Sequence, residues 1–298
     1  MNSHASNLDT VQADDIAGVR SIYNTGPAYH VLPNPPILRN LSTRALIGTG
    51  QNVLIGGFVI QGSAPATFIV RAIGYSLRAV GITAPITDPT LTIYDANHHA
   101  VATNDDWFTS ANGQTIASYH LDPPNSIESA LYVTLNPGAY TAVVQGFSPT
   151  VTGVGLVELY DLHLTASRAG NISSRGQVLT GQNVLIAGFI VGGTQTKQVI
   201  VRAIGPSLAT AGISNPLADP TLELYNGNGA LLQSNDNWQQ NNPNAQAIMN
   251  RGLTPTQPRE SALLATLNPG NYTAIVRGVA NDTGTAVVEV YDLSAAPP

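Results

Sequence analysis

The fold is decided by the segment Thr49-Gly50-Gln51-Asn52-Val53-Leu54-Ile55-Gly56-Gly57-Phe58, which returns 131 residues later as Thr180-Gly181-Gln182-Asn183-Val184-Leu185-Ile186-Ala187-Gly188-Phe189. Further matches keep this register: residues 70–74 match 201–205, 134–142 match 266–274 after one inserted residue, and 157–162 match 288–293. A period this long indicates a duplicated domain rather than short solenoid repeats.

Each copy consists of short β-rich runs separated by turn residues. In the first copy, the strand candidates are residues 53–60, 67–72, 91–94, 130–134, 140–145 and 155–160. Asn, Pro, Gly and Asp residues supply the turns between them. The pattern predicts an all-β protein of two tandem antiparallel β-sandwich (jelly-roll-like) domains. We place an N-terminal helix and Pro-rich linker at 1–36, the first sandwich at 37–166 and the second at 167–298.

The later two-thirds of each copy resembles the bacterial pre-peptidase C-terminal domain. In the first copy the resemblance is carried by Leu91–Asn97, Asn104–Asp106 and Leu135–Val144, and the second copy repeats the same order. The resemblance implies a jelly-roll-like sandwich of the kind appended to secreted enzymes and surface proteins. The leading segments, residues 40–44 and 171–175, lie outside it.

The N-terminal segment has a resemblance of its own. Residues 9–23 predict a helix whose N-terminus is favoured by Asp14 and Asp15 and whose apolar stripe includes Ile16 and Val19. It is similar to the last helix of matrixin-type zinc metalloprotease domains. Because the six histidines are scattered and none lies in a His-Glu-x-x-His context, the zinc motif of that family has no match here.

Composition excludes several classes of function. Charged residues make up 10% of the 298 residues, Lys197 is the only lysine, and the net charge is −6. Without a basic patch, we expect no nucleic-acid binding. The absence of cysteine removes disulfides and thiolate chemistry, and no apolar run is long enough to span a membrane. A surface so poor in charge favours a secreted, extracellular or cell-surface protein that self-associates.

Acidic and amide residues in the turns form a candidate calcium site in each copy. Calcium binds six to eight oxygen ligands from carboxylates and carbonyls. The candidates are Asp88, Asp95, Asn104, Asp105 and Asp106 in the first copy, and Asp219, Asn235 and Asp236 in the second. Asx residues are also ordinary turn formers, so the alternative is a chain with no cofactor at all.

Other conspicuous residues indicate structure rather than catalysis. Trp107 and Trp238 follow these turns, and we interpret them as core or rim residues rather than sugar-stacking platforms. Arg71 with Glu128, and Arg202 with Glu260, recur and are predicted to form buried ion pairs. No serine has a matching histidine in both copies, so no catalytic triad is visible and we expect no enzyme activity.

Two functions remain open. The first is a non-catalytic extracellular structural or adhesive protein whose copies associate head to tail into a filament or surface layer. The alternative is an accessory binding domain of a secreted hydrolase, with a polysaccharide or protein as its ligand.

Overall fold

A computed structural model describes residues 38–162 and 167–293, and the predicted N-terminal helix lies outside these residues. The first copy, called repeat 1 below, contains eight strands: β1 (Leu38–Ile47), β2 (Leu54–Gly62), β3 (Ala66–Ile73), β4 (Pro89–Asp95), β5 (Ala100–Asn104), β6 (Ser129–Leu135), β7 (Gly138–Gly146) and β8 (Gly153–Asp161). A one-and-a-half-turn helix, α1 (Gly113–Ser118), precedes β6.

The second copy, called repeat 2, has the same elements in the same order. They are β9 (Ser167–Val178), β10 (Leu185–Val191), β11 (Lys197–Ile204), β12 (Pro220–Asn226), β13 (Leu231–Asn235), α2 (Ala245–Asn250), β14 (Ser261–Leu267), β15 (Gly270–Gly278) and β16 (Gly284–Asp292). The structure thus confirms the all-β class, and every strand ladder is antiparallel. Among the described residues, no helix has the length and apolar character needed to cross a membrane.

The strands form two sheets of eight, and each sheet takes four strands from each repeat. The first sheet has the order β6-β3-β8-β1-β10-β15-β12-β13, and the second has the order β14-β11-β16-β9-β2-β7-β4-β5. A single pairing of Leu46 with Gln177 links the two sheets. Repeat 1 therefore forms one end of an extended sandwich, and repeat 2 forms the other.

The two sandwiches predicted from the sequence are thus joined through both sheets, which the sequence did not predict. Strand β1 pairs with β8 of its own repeat and with β10 of the other, and β9 pairs with β16 and with β2. If each repeat stood alone, the outer edges of β1 and β2 would present unpaired N–H and C=O groups. Pairing across the repeats satisfies those groups. The division of the chain at 166/167 falls between β8 and β9, and as a domain boundary it stays a prediction.

An approximate two-fold axis relates the repeats and passes between β1 and β9. Leu41 pairs with Phe189, and the equivalent residues Ile172 and Phe58 pair in the same way. On the axis, the Oγ1 atom of Thr43 lies 2.6 Å from the Oγ atom of Ser174, its own counterpart in the other repeat. Both side chains are fully buried.

One continuous apolar core fills the space between the sheets. Along β2, buried and half-buried residues alternate, as the period of a strand requires. The core joins residues of both repeats, among them Leu41, Phe68, Phe189 and Val201. Phe58 stacks on Tyr140 at 5.7 Å, and Phe189 stacks on Tyr272 at 5.5 Å. The two ends of the molecule are thus stabilised by the same packing.

The pair Ala45 and Gly176 tests the packing between the repeats, because these equivalent residues face each other at the axis. A Cβ atom on Gly176 would lie 2.7 Å from the Cβ atom of Ala45 and 3.0 Å from Cδ1 of Leu185. We expect Gly176→Ala to lower the free energy of unfolding by about 1–3 kcal/mol, as overpacking of a core does. Chemical denaturation followed by circular dichroism measures this loss.

Two further variants make the test specific. Ala45→Gly combined with Gly176→Ala moves one methyl group across the axis and should recover most of the lost stability. Gly56→Ala, whose Cβ would lie 3.4 Å from Val157, should be tolerated. If the double variant were no more stable than Gly176→Ala alone, Ala45 would not be the residue that the new methyl group meets.

Candidate functional site

Three of the predicted ligands meet at the repeat 1 end of the sandwich. Asp88 precedes β4, and Asp105 and Asp106 follow β5, so the β4–β5 hairpin brings them together. One carboxylate oxygen from each lies within 4.8 Å of the others, and all three residues are half-buried. The Oδ1 atom of Asp105 is buried and has no hydrogen-bond partner among the described residues.

Burial and mutual repulsion raise the pKa values of two carboxylates in this cluster. Burial raises the pKa of Asp88, and the neighbouring Asp106 raises it further. Burial also raises the pKa of Asp105, with Asp88 and Asp106 adding to the effect. Both shifts mean that the folded protein disfavours the charged carboxylates. A cation would relieve this repulsion, and three carboxylates offer a calcium ion up to about six of the six to eight oxygens that it binds, the rest coming from carbonyls or water. The calcium site stays a prediction.

Repeat 2 holds a weaker version of the cluster. Burial raises the pKa of Asp219, Asp236 and Asp282 add to the rise, and Arg259 opposes it. Asn237 stands where repeat 1 has Asp106, and its Nδ2 atom donates to Oδ2 of Asp236 at 3.1 Å. This end therefore offers a cation less negative charge.

The remaining predicted ligands have structural roles. Asp95 ends β4, at the far end of the strand from Asp88, and accepts the N–H groups of Asn97 and His99 at 2.8 and 2.9 Å. Its equivalent, Asn226, accepts two turn N–H groups in the same way. These hydrogen bonds, the one from His99 foremost, lower the pKa of Asp95. The structure does not bring Asp95 to the acidic cluster.

Asn104 and Asn235 join the end of the β4–β5 or β12–β13 hairpin to the following strand. The Nδ2 atom of Asn104 donates to the carbonyl of Asp106 at 3.1 Å, and its Oδ1 accepts the N–H of Ala130 at 2.9 Å. Asn235 repeats both bonds at 3.1 and 3.0 Å. Ser129 and Ser261, which the sequence analysis missed, donate to backbone carbonyls in the same loops. Their amides and hydroxyls are thus used for the fold.

The recurrent arginines have a different partner from the one predicted. Arg71 donates to Oε2 of Glu158 at 2.6 and 3.0 Å and to the hydroxyl of Tyr160 at 2.8 Å. Arg202, Glu289 and Tyr291 form the same network in repeat 2. Burial and the charge of Glu289 raise the pKa of Tyr291 to about 12. The predicted pairing with Glu128 and Glu260 is therefore wrong.

Glu128 and Glu260 instead bind backbone N–H groups where β3 and β11 end. Oε1 of Glu128 accepts the N–H groups of Gly74 and Ser76 at 2.8 and 2.9 Å, and Glu260 does the same for Gly205 and Ser207. The four glutamates and two arginines of these networks thus hold strands and loops together. Trp238 is buried and Trp107 half-buried with its indole N–H bound to the carbonyl of Asn125, as predicted for core or rim residues.

The two ends of the sandwich also expose edge strands. Strand β5 pairs only with β4, and β13 pairs only with β12, among the described residues. Their sequences, AVATN and LLQSN, contain no charge. Val101 on β5 is 45% exposed, and Leu231 and Leu232 on β13 are 51% and 43% exposed.

Repeat 2 adds an open polar groove beside β13. It is lined by the hydroxyl, carboxylate and amide side chains of Thr221, Glu223, Ser234, Asp236, Gln240 and Asn241. Groups of this kind bind ligands rich in hydroxyls.

Comparisons with known proteins identify no family. No family model matches the chain, and no curated protein matches it. In the crystal structure of the STIV MCP, the matched chain is 14% identical in sequence to this one. The match covers 90% of this chain and 94% of that chain, with a TM-score of 0.23. The 11S allergen from Cocos nucifera is 6% identical, with coverages of 85% and 80% and a TM-score of 0.17. Oxalate decarboxylase from Bacillus subtilis is 6% identical, with coverages of 90% and 75% and a TM-score of 0.16. Scores this low support no inference about function.

The acidic cluster predicts in which direction stability changes when Asp88 loses its charge. Because the pKa of Asp88 is raised in the folded state, its ionisation costs stability as the pH rises through that pKa. We expect Asp88→Asn to increase the free energy of unfolding at about pH 7 by up to about 0.5 kcal/mol, the usual range for a surface change. The gain should shrink towards about pH 4, near the ordinary pKa of aspartate. Denaturant titrations at the two pH values measure it.

Asp95→Asn is the matched control. The pKa of Asp95 is lowered, so its charged form is favoured in the folded protein, and this variant should lose a little stability at neutral pH. Lower stability of Asp88→Asn at neutral pH would contradict the repulsion described above and would indicate a bound cation instead.

Proposed function

We propose that the protein is a non-catalytic structural protein of the cell exterior or surface, whose copies associate end to end into filaments. The contact joins β5 of one copy to β13 of the next. The observation that carries this proposal is the pair of uncharged, solvent-exposed edge strands at opposite ends of the sandwich.

The composition of these edges supports association. Soluble β-proteins usually protect an edge strand with lysine, proline or an inward-pointing charge. Neither β5 nor β13 has any of these, and each exposes aliphatic side chains instead. An edge of this kind is a template on which another strand can pair.

We infer that the strand that pairs with each exposed edge belongs to a second copy of this chain, because the molecule already joins its own repeats by extending sheets. Strands β1 and β10, and β2 and β9, carry each sheet from one repeat into the other. A β5–β13 contact would extend the second sheet of one copy into the first sheet of the next. Since the two contact strands belong to opposite ends, the association is heterologous and gives an open chain of molecules.

Lysines placed on either edge test this function. We expect the unmodified protein to form elongated particles in electron micrographs and concentration-dependent species in sedimentation velocity. Val101→Lys, or Leu231→Lys with Leu232→Lys, should weaken association roughly tenfold or more, which is about 1.4 kcal/mol, because a charge on the pairing edge must be desolvated.

Mixing the variants tests the polarity of the contact. Each variant keeps one functional edge, so an equimolar mixture should form dimers while each variant alone stays monomeric. Gln145→Lys, an exposed change on the inner strand β7, is the control and should leave filaments intact. Monomers of the unmodified protein at every concentration would overturn the proposal, and dimers of one edge variant alone would show a closed contact instead.

The polar groove of repeat 2 supports a second candidate, an accessory module that binds polysaccharide. Its amide and carboxylate groups are suited to sugar hydroxyls. The full chain should then bind polysaccharides immobilised on a glycan array. Gln240→Ala with Asn241→Ala should reduce binding at least about tenfold, because the two changes remove one to two hydrogen bonds. Thr109→Ala with Ser110→Ala, in the loop of repeat 1 that follows Trp107, is the control. Equal binding by both variants would exclude the groove.

A further inference from the structure

The only lysine of the chain is completely buried. Lys197 begins β11, and Asp292 ends the neighbouring strand β16 in the same sheet. Neither side chain has any exposed surface. The Nζ atom lies 2.5 Å from Oδ2 of Asp292, closer than in an ordinary N–H···O hydrogen bond.

The two repeats differ at this pair, although they share the surrounding fold. Asp161 occupies the position of Asp292, and the strand registers are equivalent, since Phe68 pairs with Asp161 and Val199 pairs with Asp292. Opposite the carboxylate, repeat 1 has Ala66 where repeat 2 has Lys197. The amine is therefore not needed to build these strands.

Burying this amine beside a carboxylate is costly as an ion pair. Two charges removed from water lose several kcal/mol of hydration each, and an apolar replacement of similar volume is often neutral or stabilising. Repeat 1 shows that alanine serves at this position. A lysine kept in the sealed interior, in contact with a carboxylate from an adjacent strand, is suited to a chemical step between the two groups.

We propose that Lys197 and Asp292 condense into an intramolecular amide that links β11 to β16. One proton passes from Nζ to the carboxylate, which leaves a neutral amine and a carboxylic acid. The nitrogen lone pair attacks Cγ of Asp292 and forms the C–N bond. The C–OH bond then breaks, a second amine proton goes to the departing hydroxyl, and one water molecule leaves. The step needs no oxidant and no co-reactant.

The link would join residues 95 positions apart in the sequence. It would connect β11 to β16, the first and the last of the six strands that follow β10 in repeat 2. In a chain without cysteine it would take the part that a disulfide plays elsewhere, by limiting the freedom of the unfolded chain. This inference does not depend on filament formation, and it applies equally to a protein that binds polysaccharide.

Mass spectrometry of the full, denatured chain tests the proposal directly. The protein should be lighter than its sequence by the mass of one water molecule, and proteolysis should yield a branched peptide that contains both residues. Since Lys197 is the only lysine, an amine-reactive ester added under denaturing conditions should label no lysine side chain. A full sequence mass together with a labelled Lys197 would overturn the proposal.

Variants separate the amide from a plain ion pair. Lys197→Met, close in volume, should have its full sequence mass. Asp292→Asn should lose ammonia instead of water, which an ion pair cannot explain. Should either variant fail to fold, the mass and labelling of the unmodified chain still decide. Ala66→Lys places a second amine opposite Asp161, and loss of a second water there would show that the strand geometry suffices.

Discussion

The structure depends on backbone pairing between the repeats. Strands β1 and β9 each lie between a strand of their own repeat and a strand of the other, so neither sheet is complete without both halves of the chain. At the axis, the hydroxyl contact between Thr43 and Ser174 satisfies two polar groups that are fully buried. The continuous core and the position of the free edges at opposite ends both follow from this arrangement.

Polar side chains fix the loops of both repeats. Glu128 and Glu260 bind the backbone where β3 and β11 end, and Asn104 and Asn235 hold the hairpins to the next strands. Because these groups recur in both repeats with the same partners, they serve the common fold. Both repeats also have the uncharged edge strand on which the proposed function rests. The other features of functional interest are those in which the repeats differ, namely the acidic cluster, the polar groove and the lysine of β11.

Much of the fold could be predicted from the sequence, because hydrophobic alternation and turn residues recur in both copies. All six strands predicted in repeat 1 are present. The pairing of strands across the repeats could not be predicted, since the apolar pattern of β1 is the same whether its neighbour is in its own repeat or the other. The partner of Arg71 was missed for a similar reason: Glu128 and Glu158 both recur, and only the register that places Arg71 opposite Glu158 distinguishes them.

In the candidate site, the nearness of Asp88 to Asp105 followed from a hairpin, whereas Asp95 lies at the other end of that hairpin.

The contact of Ala45 with Gly176 has a consequence for the origin of the chain. In a symmetric pair of separate, identical repeats, each residue on the axis would face a copy of itself. Two alanines would collide there, and two glycines would leave a gap. A chain that carries both repeats can place one of each at the axis, so neither half could form a homodimer by itself without losing the fit at its centre.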